Sequence, residues 1–420
     1  MPKKQVDLII RNASELATPY GSNQKPLVGK QMQTLKIIKN AALAVKDCMI
    51  VGVGKTSSVT SAFKATETIE AEGKTVIPGF VDPHTHLVFA GSREKEFETR
   101  LKGSSYMDIQ REGGGILKTV RETRRATEDE LTHNCRRTLD IMLKHGTTTV
   151  EAKSGYGLTT KDEAKCLRAI QHVSKAHIVK VVPTFLGAHA IPPEFENNPE
   201  DYVDLIVEEM IPSIADANLA EFCDVFCEEG AFTVEQARRI LQVGHKHGLT
   251  PKVHADELTP YGGAELAAET CAISAEHLLY ASEAGLEMMS KRGVIAVLLP
   301  AASFTLMTQR YADARRMIEL GVPIALGTDF NPSCWTESQQ LTIAMACRQL
   351  QLTPAEALTA STLNAAHVVN RAAEIGSLEG GKRADVLILD VPNHSFLGYR
   401  FGTNLVSKVD KEGKLIVDLE

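Results

Sequence analysis

Features that mark several classes of protein are missing from this sequence of 420 residues. No window approaches the roughly 18 consecutive apolar residues of a membrane span, and the first residues lack the long apolar segment of a signal peptide. The net charge is −7, from 46 basic and 53 acidic residues without a basic stripe, which argues against nucleic acid as a partner. The eight cysteines form no CxxC pair, as is typical of reduced cytosolic proteins. We therefore expect a cytoplasmic protein that binds neither nucleic acid nor a membrane.

What is present is the composition of an ordinary soluble globular protein, with 43% hydrophobic and 24% charged residues, 30 glycines and 17 prolines. This composition excludes disorder, collagen and coiled coil. At about 150 residues per domain the length would suggest two or three domains, although a single α/β barrel commonly takes about 250 residues. Length alone therefore leaves the number of domains open.

The middle of the chain alternates between apolar, strand-like runs and segments of helical period. The eight runs are 76–81, 147–152, 178–185, 223–227, 250–253, 272–275, 294–299 and 323–326. The clearest helical segments are 128–144, 161–175, 233–247 and 341–349, with Thr127 and Thr233 as candidate N-caps. Eight strand–helix units predict an α/β fold with a (β/α)8 TIM barrel. An open, doubly wound sheet is the alternative.

Both ends of the chain read as short strands, at 6–12, 35–40, 42–46 and 49–53 and again at 384–391, 405–409 and 415–419. Neither end has enough apolar sequence to form a sheet domain alone. We expect the two ends to pair in a small composite β-sandwich domain of residues 1–75 plus 375–420. Residues 76–374 would then form the barrel.

Titratable side chains follow seven of the eight predicted barrel strands. In a TIM barrel, catalytic residues collect at the carboxyl ends of the strands. His84 and His86 follow the first strand, and because residues two apart in an extended strand point the same way, they should face the barrel axis together. An HxH pair alone is weak, since it also occurs in polar loops. With His254 and Asp329 at two other strand ends, these four side chains predict a site for Zn²⁺ or Fe.

Two further residues at this rim are candidates for proton transfer and charge stabilisation. Glu257 follows His254 by three residues and could carry protons during hydrolysis, or it could be a solvated glutamate that opens the next helix. His277 could stabilise developing charge, or it could be a fifth ligand in a two-metal site. The fourth strand has no lysine to bridge two metals, which favours one ion, but Glu228 keeps the two-metal alternative open.

The order of these residues, with HxH on strand 1, histidines on strands 5 and 6 and aspartate on strand 8, resembles the amidohydrolase superfamily of metal-dependent hydrolases. Segment 375–385 is similar to the one that returns the chain to the composite β domain in that superfamily. Segment 254–257 is similar to the HxxE of its deaminase-like branch. The resemblance covers nearly the whole chain. It implies hydrolase activity with one divalent or trivalent metal ion, Zn or Fe, per subunit.

Longer stretches, at 82–93, 151–157, 222–228 and 399–402, closely resemble the imidazolonepropionase family. That family hydrolyses the ring amide of 4-imidazolone-5-propanoate to N-formimidoyl-L-glutamate in histidine degradation. The resemblance implies a small anionic imidazolone substrate. Large barrel enzymes of this kind often dimerise, so we expect a homodimer.

The resemblance also implies which side chains contact the substrate: Arg93, Tyr156, His189, Glu257, Asn331 and Ser333. An arginine suits the propanoate carboxylate because its guanidinium can donate two parallel hydrogen bonds. A surface salt bridge with Glu94 or Glu96 is the alternative role for Arg93. Ser333 and Cys334 stand where the family has a small residue and threonine, which leaves the individual contacts of that loop open.

In the mechanism that these residues suggest, metal-activated water attacks the ring carbonyl. Asp329 and Glu257 relay protons to the leaving ring nitrogen, and His277 stabilises the oxyanion. How proton transfer is divided among the three residues stays open. A deaminase of cytosine, guanine or a related ring would use the same metal, HxxE and aspartate, but it would release ammonia. A non-catalytic scaffold should have lost ligands, whereas this chain retains all four and Glu257.

Overall fold

Two eight-stranded sheets organise the chain in a computed structural model that describes residues 2–21, 24–103 and 114–420. In chain order the strands are β1 (Lys4–Pro19), β2 (Leu35–Lys46), β3 (Met49–Lys55), β4 (Phe63–Glu70), β5 (Thr75–Pro78), β6 (Phe80–Asp82), β7 (Thr147–Lys153), β8 (Lys180–Ala188), β9 (Phe222–Cys227), β10 (Thr250–Ala255), β11 (Ser274–His277), β12 (Ile295–Leu298), β13 (Ile324–Leu326), β14 (Asp385–Leu389), β15 (Val406–Lys411) and β16 (Lys414–Asp418).

Helices connect most of these strands. The α-helices in the described ranges are Thr56–Ala62, Glu94–Leu101, Gly115–Arg125, Glu128–Lys144, Thr160–Ala176, Pro199–Leu205, Ile211–Asp216, Val234–Lys246, Gly263–Glu269, Glu283–Arg292, Pro300–Thr305, Ala314–Glu319, Gln339–Gln349, Pro354–Ala360, Leu363–Val368 and Phe396–Tyr399. Short 3-10 helices lie at Gly29–Gln33 and Pro193–Phe195, and a π-helix lies at Ile206–Met210. Among the residues described, none of the helices has both the length and the apolar character needed to span a bilayer.

Strands β6 to β13 form the barrel, each parallel to the next in chain order. The first and last strands meet just beyond their carboxyl ends, where Thr85 forms a bridge with Phe330. His86 N donates to Phe330 O at 2.8 Å, and Asp329 N donates to His84 O at 3.2 Å. The predicted (β/α)8 barrel is therefore confirmed, and the open doubly wound sheet is wrong. The closing bonds also bring the HxH segment beside Asp329.

The predicted first barrel strand at 76–81 is wrong in its extent, because the structure divides it between the two sheets. Its first half is β5, which pairs with β1 and β14, and its second half is β6, which pairs with β7. The two strands meet at Gly79, where a Cβ would collide with the side chain of Thr148. Every residue of β5 and β6 is buried, so a continuous apolar run gives no sign that the chain changes sheets.

The terminal strands form one mixed sheet in the order β16-β15-β14-β5-β1-β2-β3, with β4 paired to β1. Both ends of the chain thus contribute to one β unit, as predicted. The separate strands predicted at 35–40 and 42–46 are wrong, because β2 runs through both. Apolar side chains from β1, β2 and β14 join one buried cluster, so the two halves of the sheet share a core. The domain limits 1–75 with 375–420 and 76–374 stay a prediction.

The four helices predicted from periodicity are confirmed to within two residues at each end. Thr127 and Thr233 are both N-caps. The Thr127 hydroxyl accepts a hydrogen bond from Glu130 N at 3.2 Å, and the Glu130 carboxylate accepts one from Thr127 N at 2.8 Å. Hydrogen bonds of this kind satisfy backbone donors that have no partner inside the helix.

Replacing Thr127 with alanine should lower the free energy of unfolding by about 1 kcal/mol, the usual contribution of such a cap. Thr132→Ala is the matched control, because the Thr132 hydroxyl donates to Glu128 O within the same helix and caps nothing. Urea denaturation of the metal-depleted proteins measures both. Equal unfolding midpoints for the Thr127 variant and the unmodified protein would show that the cap does not stabilise the folded chain.

Candidate metal and substrate site

The carboxyl ends of four barrel strands bring a cluster of histidines and one aspartate together. His84 and His86 follow β6, His254 lies near the end of β10 and Asp329 follows β13. His277 ends β11. All five side chains are buried, and none of these residues is more than 5% exposed. The structure thus brings these five side chains together at one rim of the barrel.

The four predicted ligands point their polar atoms at a common centre. Asp329 Oδ1 lies 3.4 Å from His84 Nε2 and 3.6 Å from His86 Nε2. His254 Nε2 lies 3.4 Å from His86 Nε2. Two overlapping groups of three residues, one with Asp329 and one with His277, each have ligand atoms within 4.8 Å of one another.

The chemistry of this cluster fits a divalent metal ion. Both ring nitrogens of His84, His86 Nδ1 and Asp329 Oδ1 are buried and have no hydrogen-bond partner, which is costly unless a ligand satisfies them. Burial, with help from neighbouring positive charges, holds the pKa values of His84 and His86 well below the ordinary value, so both rings are neutral. Neutral imidazole nitrogens and a carboxylate are the ligands that Zn²⁺ and Fe²⁺ accept.

Asp224, in the middle of β9, orients the ring of His254. Both carboxylate oxygens of Asp224 lie 3.1 Å from His254 Nδ1, and Oδ2 lies 2.7 Å from Lys153 Nζ. Burial alone would raise the pKa of Asp224, but attraction to His254 and Lys153 outweighs it and holds that pKa well below the ordinary value. Asp224 was not predicted from the sequence as a partner of His254. The signal for it was a single aspartate in an otherwise apolar strand.

The contacts of Glu228 bear on the two-metal alternative, because this residue was the candidate ligand for a second ion. The Glu228 carboxylate accepts from Glu257 N at 3.0 Å and from Leu258 N at 2.8 Å, and it also bonds the Thr259 hydroxyl. The Glu228 carboxylate is therefore already hydrogen-bonded to the loop that carries Glu257. A further group, Asp224, His254 and Glu276, is close enough to hold an ion. Buried ammonium groups already lie against its carboxylates, since Lys153 contacts Asp224 and Lys252 Nζ is 3.6 Å from Glu276 Oε1.

Glu257 and His277 face each other beside the metal-binding cluster. Their closest side-chain atoms, Glu257 Oε2 and His277 Nε2, are 3.6 Å apart. The Glu257 side chain is 15% exposed, and burial, reinforced by the nearby negative charge of Asp329, raises its pKa to about 8. His277 and Asp329 both have positive φ, 70° and 52°. Such conformations cost of order 1 kcal/mol or more and are concentrated at functional sites.

A cavity of about 340 Å³ opens onto this cluster, and Arg93 lies in its wall. The Arg93 guanidinium donates from Nε to Thr119 Oγ1 at 2.9 Å and from Nη1 to Ser333 Oγ at 2.8 Å. Its Nη2 is buried without a hydrogen-bond partner. The residue is only 5% exposed. The alternative of a surface salt bridge with Glu94 or Glu96 is therefore wrong, and Arg93, in the wall of the cavity, carries one buried donor without a partner.

His189 and Tyr156 also line the cavity. The His189 ring stacks on His86 at 4.9 Å between centroids, and His189 Nδ1 is 2.9 Å from Gly155 O. Burial, with a smaller effect from His254, lowers the pKa of His189 to about 3, so the ring is neutral. Because Nδ1 donates to a carbonyl, Nε2 carries the lone pair. The Tyr156 ring lies 5.1 Å from the ring of His189.

The loop that carries Tyr156 is held by Glu163, a buried residue that the sequence analysis missed. Its carboxylate accepts from Gly155 N at 3.0 Å, from Gly157 N at 2.7 Å and from Leu158 N at 2.8 Å. Nothing in the sequence separates Glu163 from the other charged residues in the first turn of the same helix, Lys161 and Asp162. Its role depends on how the loop folds back over the first turn of that helix.

The loop after β13 gives Asn331 a local role. Asn331 Nδ2 donates to Asp329 O at 2.8 Å, and Asn331 Oδ1 accepts from Ser333 N at 2.7 Å and Cys334 N at 3.0 Å. The amide thus shapes the loop that presents the Ser333 hydroxyl to Arg93. Both Asn331 and Ser333 line the cavity, and as substrate contacts they stay predictions.

Known proteins named imidazolonepropionase match nearly the whole chain. The one from Shouchella clausii (strain KSM-K16) is 52% identical over 98% of this chain and 93% of its own length. The one from Alkaliphilus oremlandii (strain OhILAs) is 51% identical over 98% of both chains. Residues 75–416 match the family model described as the amidohydrolase family.

Solved structures share the fold at much lower identity. An adenosine deaminase from Xanthomonas campestris, crystallised with bound zinc, has a TM-score of 0.74 at 20% identity and covers 99% of this chain and 94% of its own. The guanine deaminase of E. coli has a TM-score of 0.73 at 15% identity, over 98% of this chain and 99% of its own. These likenesses bear on the fold alone. The matches over the full sequence decide the family: the chain belongs to the amidohydrolase family and, within it, to the imidazolonepropionases.

Proposed function

We propose that this chain hydrolyses the ring amide of 4-imidazolone-5-propanoate to give N-formimidoyl-L-glutamate, a step of histidine degradation. The observation that carries the proposal is the pairing of two features in one cavity. A cluster of histidines with Asp329 can hold a metal ion that activates water, and the buried Arg93 guanidinium has a donor without a partner for a carboxylate. The relatives that are about 50% identical over the full chain bear the name of this activity.

The residues that would hold the metal are His84, His86, His254 and Asp329, whose polar atoms face one centre. We infer one ion per subunit, either Zn²⁺ or Fe, because these ligands accept both. When bound, a divalent ion in such a site polarises a carbonyl oxygen and lowers the pKa of water toward neutrality.

The substrate carboxylate would bind Arg93, whose remaining donor, Nη2, is buried and lacks a partner. Thr119 and Ser333 fix the guanidinium, so little side-chain freedom is lost on binding. His189 and Tyr156, which also line the cavity, would contact the ring and the tail. Asp329 and Glu257 line the same cavity and would then face the ring amide.

In the reaction, a water oxygen adds to the ring carbonyl carbon, and the ring C–N bond then breaks. Glu257 and Asp329 would take the proton of the water and pass it to the leaving ring nitrogen. Burial raises the pKa of Glu257 to about 8, which lets its carboxyl both hold and release a proton near neutral pH. His277, 3.6 Å from Glu257, would donate to the oxyanion. The carbonyl carbon becomes a carboxylate of the product.

The assay that tests this function follows the ultraviolet absorbance of imidazolone propanoate with purified protein, together with metal analysis of the same sample. We expect loss of the absorbance without ammonia. The main competitor is a nucleobase deaminase, since the same metal, glutamate and aspartate would serve it. Ammonia release from cytosine or guanine, with the imidazolone left intact, would replace our proposal by that one.

Arg93→Ala should raise KM by roughly 10- to 100-fold and change kcat much less, because a buried charge-assisted hydrogen bond contributes about 1.5–3 kcal/mol. Steady-state kinetics with imidazolone propanoate measure both constants. Arg348→Ala is the matched control, since Arg348 donates to backbone carbonyls of Ala344 and Gly398 and does not line the cavity. An unchanged KM in the Arg93 variant would refute its role as the carboxylate ligand.

We further propose a homodimer that acts in the cytoplasm. The support for the cytoplasmic location is the similarity to imidazolonepropionases. The support for the dimer is that large barrel enzymes of this kind often dimerise. Light scattering during size-exclusion chromatography measures the mass of the particle. A monomer at micromolar concentration would contradict the dimer.

A further inference from the structure

Five charged side chains lie inside the barrel next to the metal-binding cluster, and the proposed mechanism uses none of them. They are Glu151, Lys153, Asp224, Lys252 and Glu276, and each is 0% exposed. Buried charges of this kind are costly unless each has a partner. The side chains come from four strands of the barrel, β7, β9, β10 and β11. Their place directly beside the histidines raises the question of what the ion pairs do.

The two lysines of this group have different partners. Lys153 Nζ lies 2.7 Å from Glu151 Oε1 and 2.7 Å from Asp224 Oδ2. Lys252 Nζ lies 3.5 Å from Glu151 and 3.6 Å from Glu276 Oε1, and it donates to the carbonyl of Pro83 at 3.2 Å. Only Lys153, of the two, pairs with the carboxylate that contacts a predicted metal ligand.

Asp224 connects Lys153 to the metal-binding cluster. Its two oxygens are 3.1 Å from His254 Nδ1, and Oδ1 also accepts from Val225 N at 2.7 Å. A carboxylate at this position makes Nδ1 the protonated nitrogen of His254. The other nitrogen, Nε2, then carries its lone pair toward His86 Nε2, 3.4 Å away. The position of the Asp224 carboxylate thus determines which nitrogen of His254 can bind an ion.

We propose that Lys153 is a positioning residue, which acts through Asp224 to fix the ring and the tautomer of His254 for metal binding. The inference rests on the proposed metal site and explains part of the affinity of that site for a metal ion. The ammonium group lies 2.7 Å from Oδ2 of the carboxylate, an oxygen that also faces His254 Nδ1. Without it, Asp224 would lose its partner in the core, and its carboxylate would be free to turn. His254 would then lose its oriented acceptor.

The test measures the affinity for Zn²⁺ by competition with a chromophoric chelator, which does not depend on turnover. Asp224→Asn and Lys153→Met should each weaken Zn²⁺ binding by roughly 10- to 100-fold, the usual effect of losing such a partner. Lys252→Met is the matched control, because it removes an equally buried lysine that does not pair with Asp224. Its affinity should stay within about threefold of the unmodified protein.

The double variant Lys153→Met/Asp224→Asn tests whether the lysine acts through the aspartate. If it does, the double variant should bind Zn²⁺ as Asp224→Asn does, and the two effects should not multiply. This variant removes both members of the pair, so it also remains informative if Lys153→Met alone does not fold. Circular dichroism of the metal-depleted proteins monitors folding.

Three results would overturn the inference: unchanged Zn²⁺ affinity in Asp224→Asn, multiplying losses in the double variant, or an equal loss in the Lys252 control. Failure of the proposed metal site itself looks different, because the unmodified protein would then bind no Zn²⁺. Metal binding by the unmodified protein therefore separates the two ideas.

Discussion

Replacing Glu257 with glutamine should lower kcat by about 10³-fold, within the range for a positioned general acid or base. The reason is that the amide keeps the shape of the side chain but cannot take a proton from water. The backbone bonds that Glu228 accepts from Glu257 and Leu258 do not depend on this carboxylate, so the loop should keep its position. Steady-state assays with imidazolone propanoate and metal analysis of the same preparation measure both properties.

Metal content in this variant should equal that of the unmodified protein, because Glu257 is not among the four ligands. Glu229→Gln provides the control, since Glu229 is an exposed glutamate at the same rim and should leave kcat unchanged. Normal turnover in the Glu257 variant would remove this residue from the mechanism. Loss of metal together with activity would instead make Glu257 a ligand.

Removing the metal should abolish activity to below about 0.1% of the starting value, and Zn²⁺ or Fe²⁺ should restore it. The buried polar atoms of His84, His86 and Asp329 are the reason, since they can bind an ion but have no hydrogen-bond partner. Dialysis against a chelator followed by titration with each metal measures the recovery. The metal that restores the larger kcat identifies the ion that the site prefers.

Thermal unfolding gives a second measurement of the same site. An ion that binds only the folded chain raises its stability, by about 4 kcal/mol at a free concentration 1,000-fold above Kd. A His254→Ala variant should lose most of this gain, whereas His172→Ala should keep it, because His172 lies on the helix Thr160–Ala176. Full activity in protein shown to contain no metal would contradict the account.

The sequence predicts the barrel well because its signals are local. The helix Glu128–Lys144 follows from its period and from the cap at Thr127. The errors lie at 76–81, where the apolar pattern is continuous, and at 35–46, where Lys39 and Asn40 interrupt it. At 76–81 the chain moves from one sheet to the other at Gly79. At 35–46 a single strand, β2, spans both of the predicted strands. Which sheet buries a residue is decided by tertiary packing, which periodicity does not record.

The candidate site is predicted less evenly. His84, His254 and Asp329 stand out because strand ends of a barrel meet at one rim. Asp224 does not, since it lies in the middle of β9. Lys153 ends β7, but its role depends on contacts that link β7, β9 and β10. Pairs of this kind form only when the barrel closes. Residues that act on the substrate can therefore be predicted from their place in the sequence, whereas residues that hold them require the fold.

The net charge of −7 has a similar limit as a guide to function. It counts against nucleic acid, but it does not reveal that an anion could bind. That property depends on one buried guanidinium, Arg93, which Thr119 and Ser333 orient. Local charge in a cavity, rather than the sum over the chain, thus determines which ligand the protein accepts.

The most direct test of the central claim is to identify the product that the metal-loaded protein forms from 4-imidazolone-5-propanoate. The account predicts one molecule of N-formimidoyl-L-glutamate for each imidazolone consumed, with no ammonia released, as measured by mass spectrometry and an ammonia assay. Recovery of unchanged imidazolone from protein that contains its metal would contradict the account.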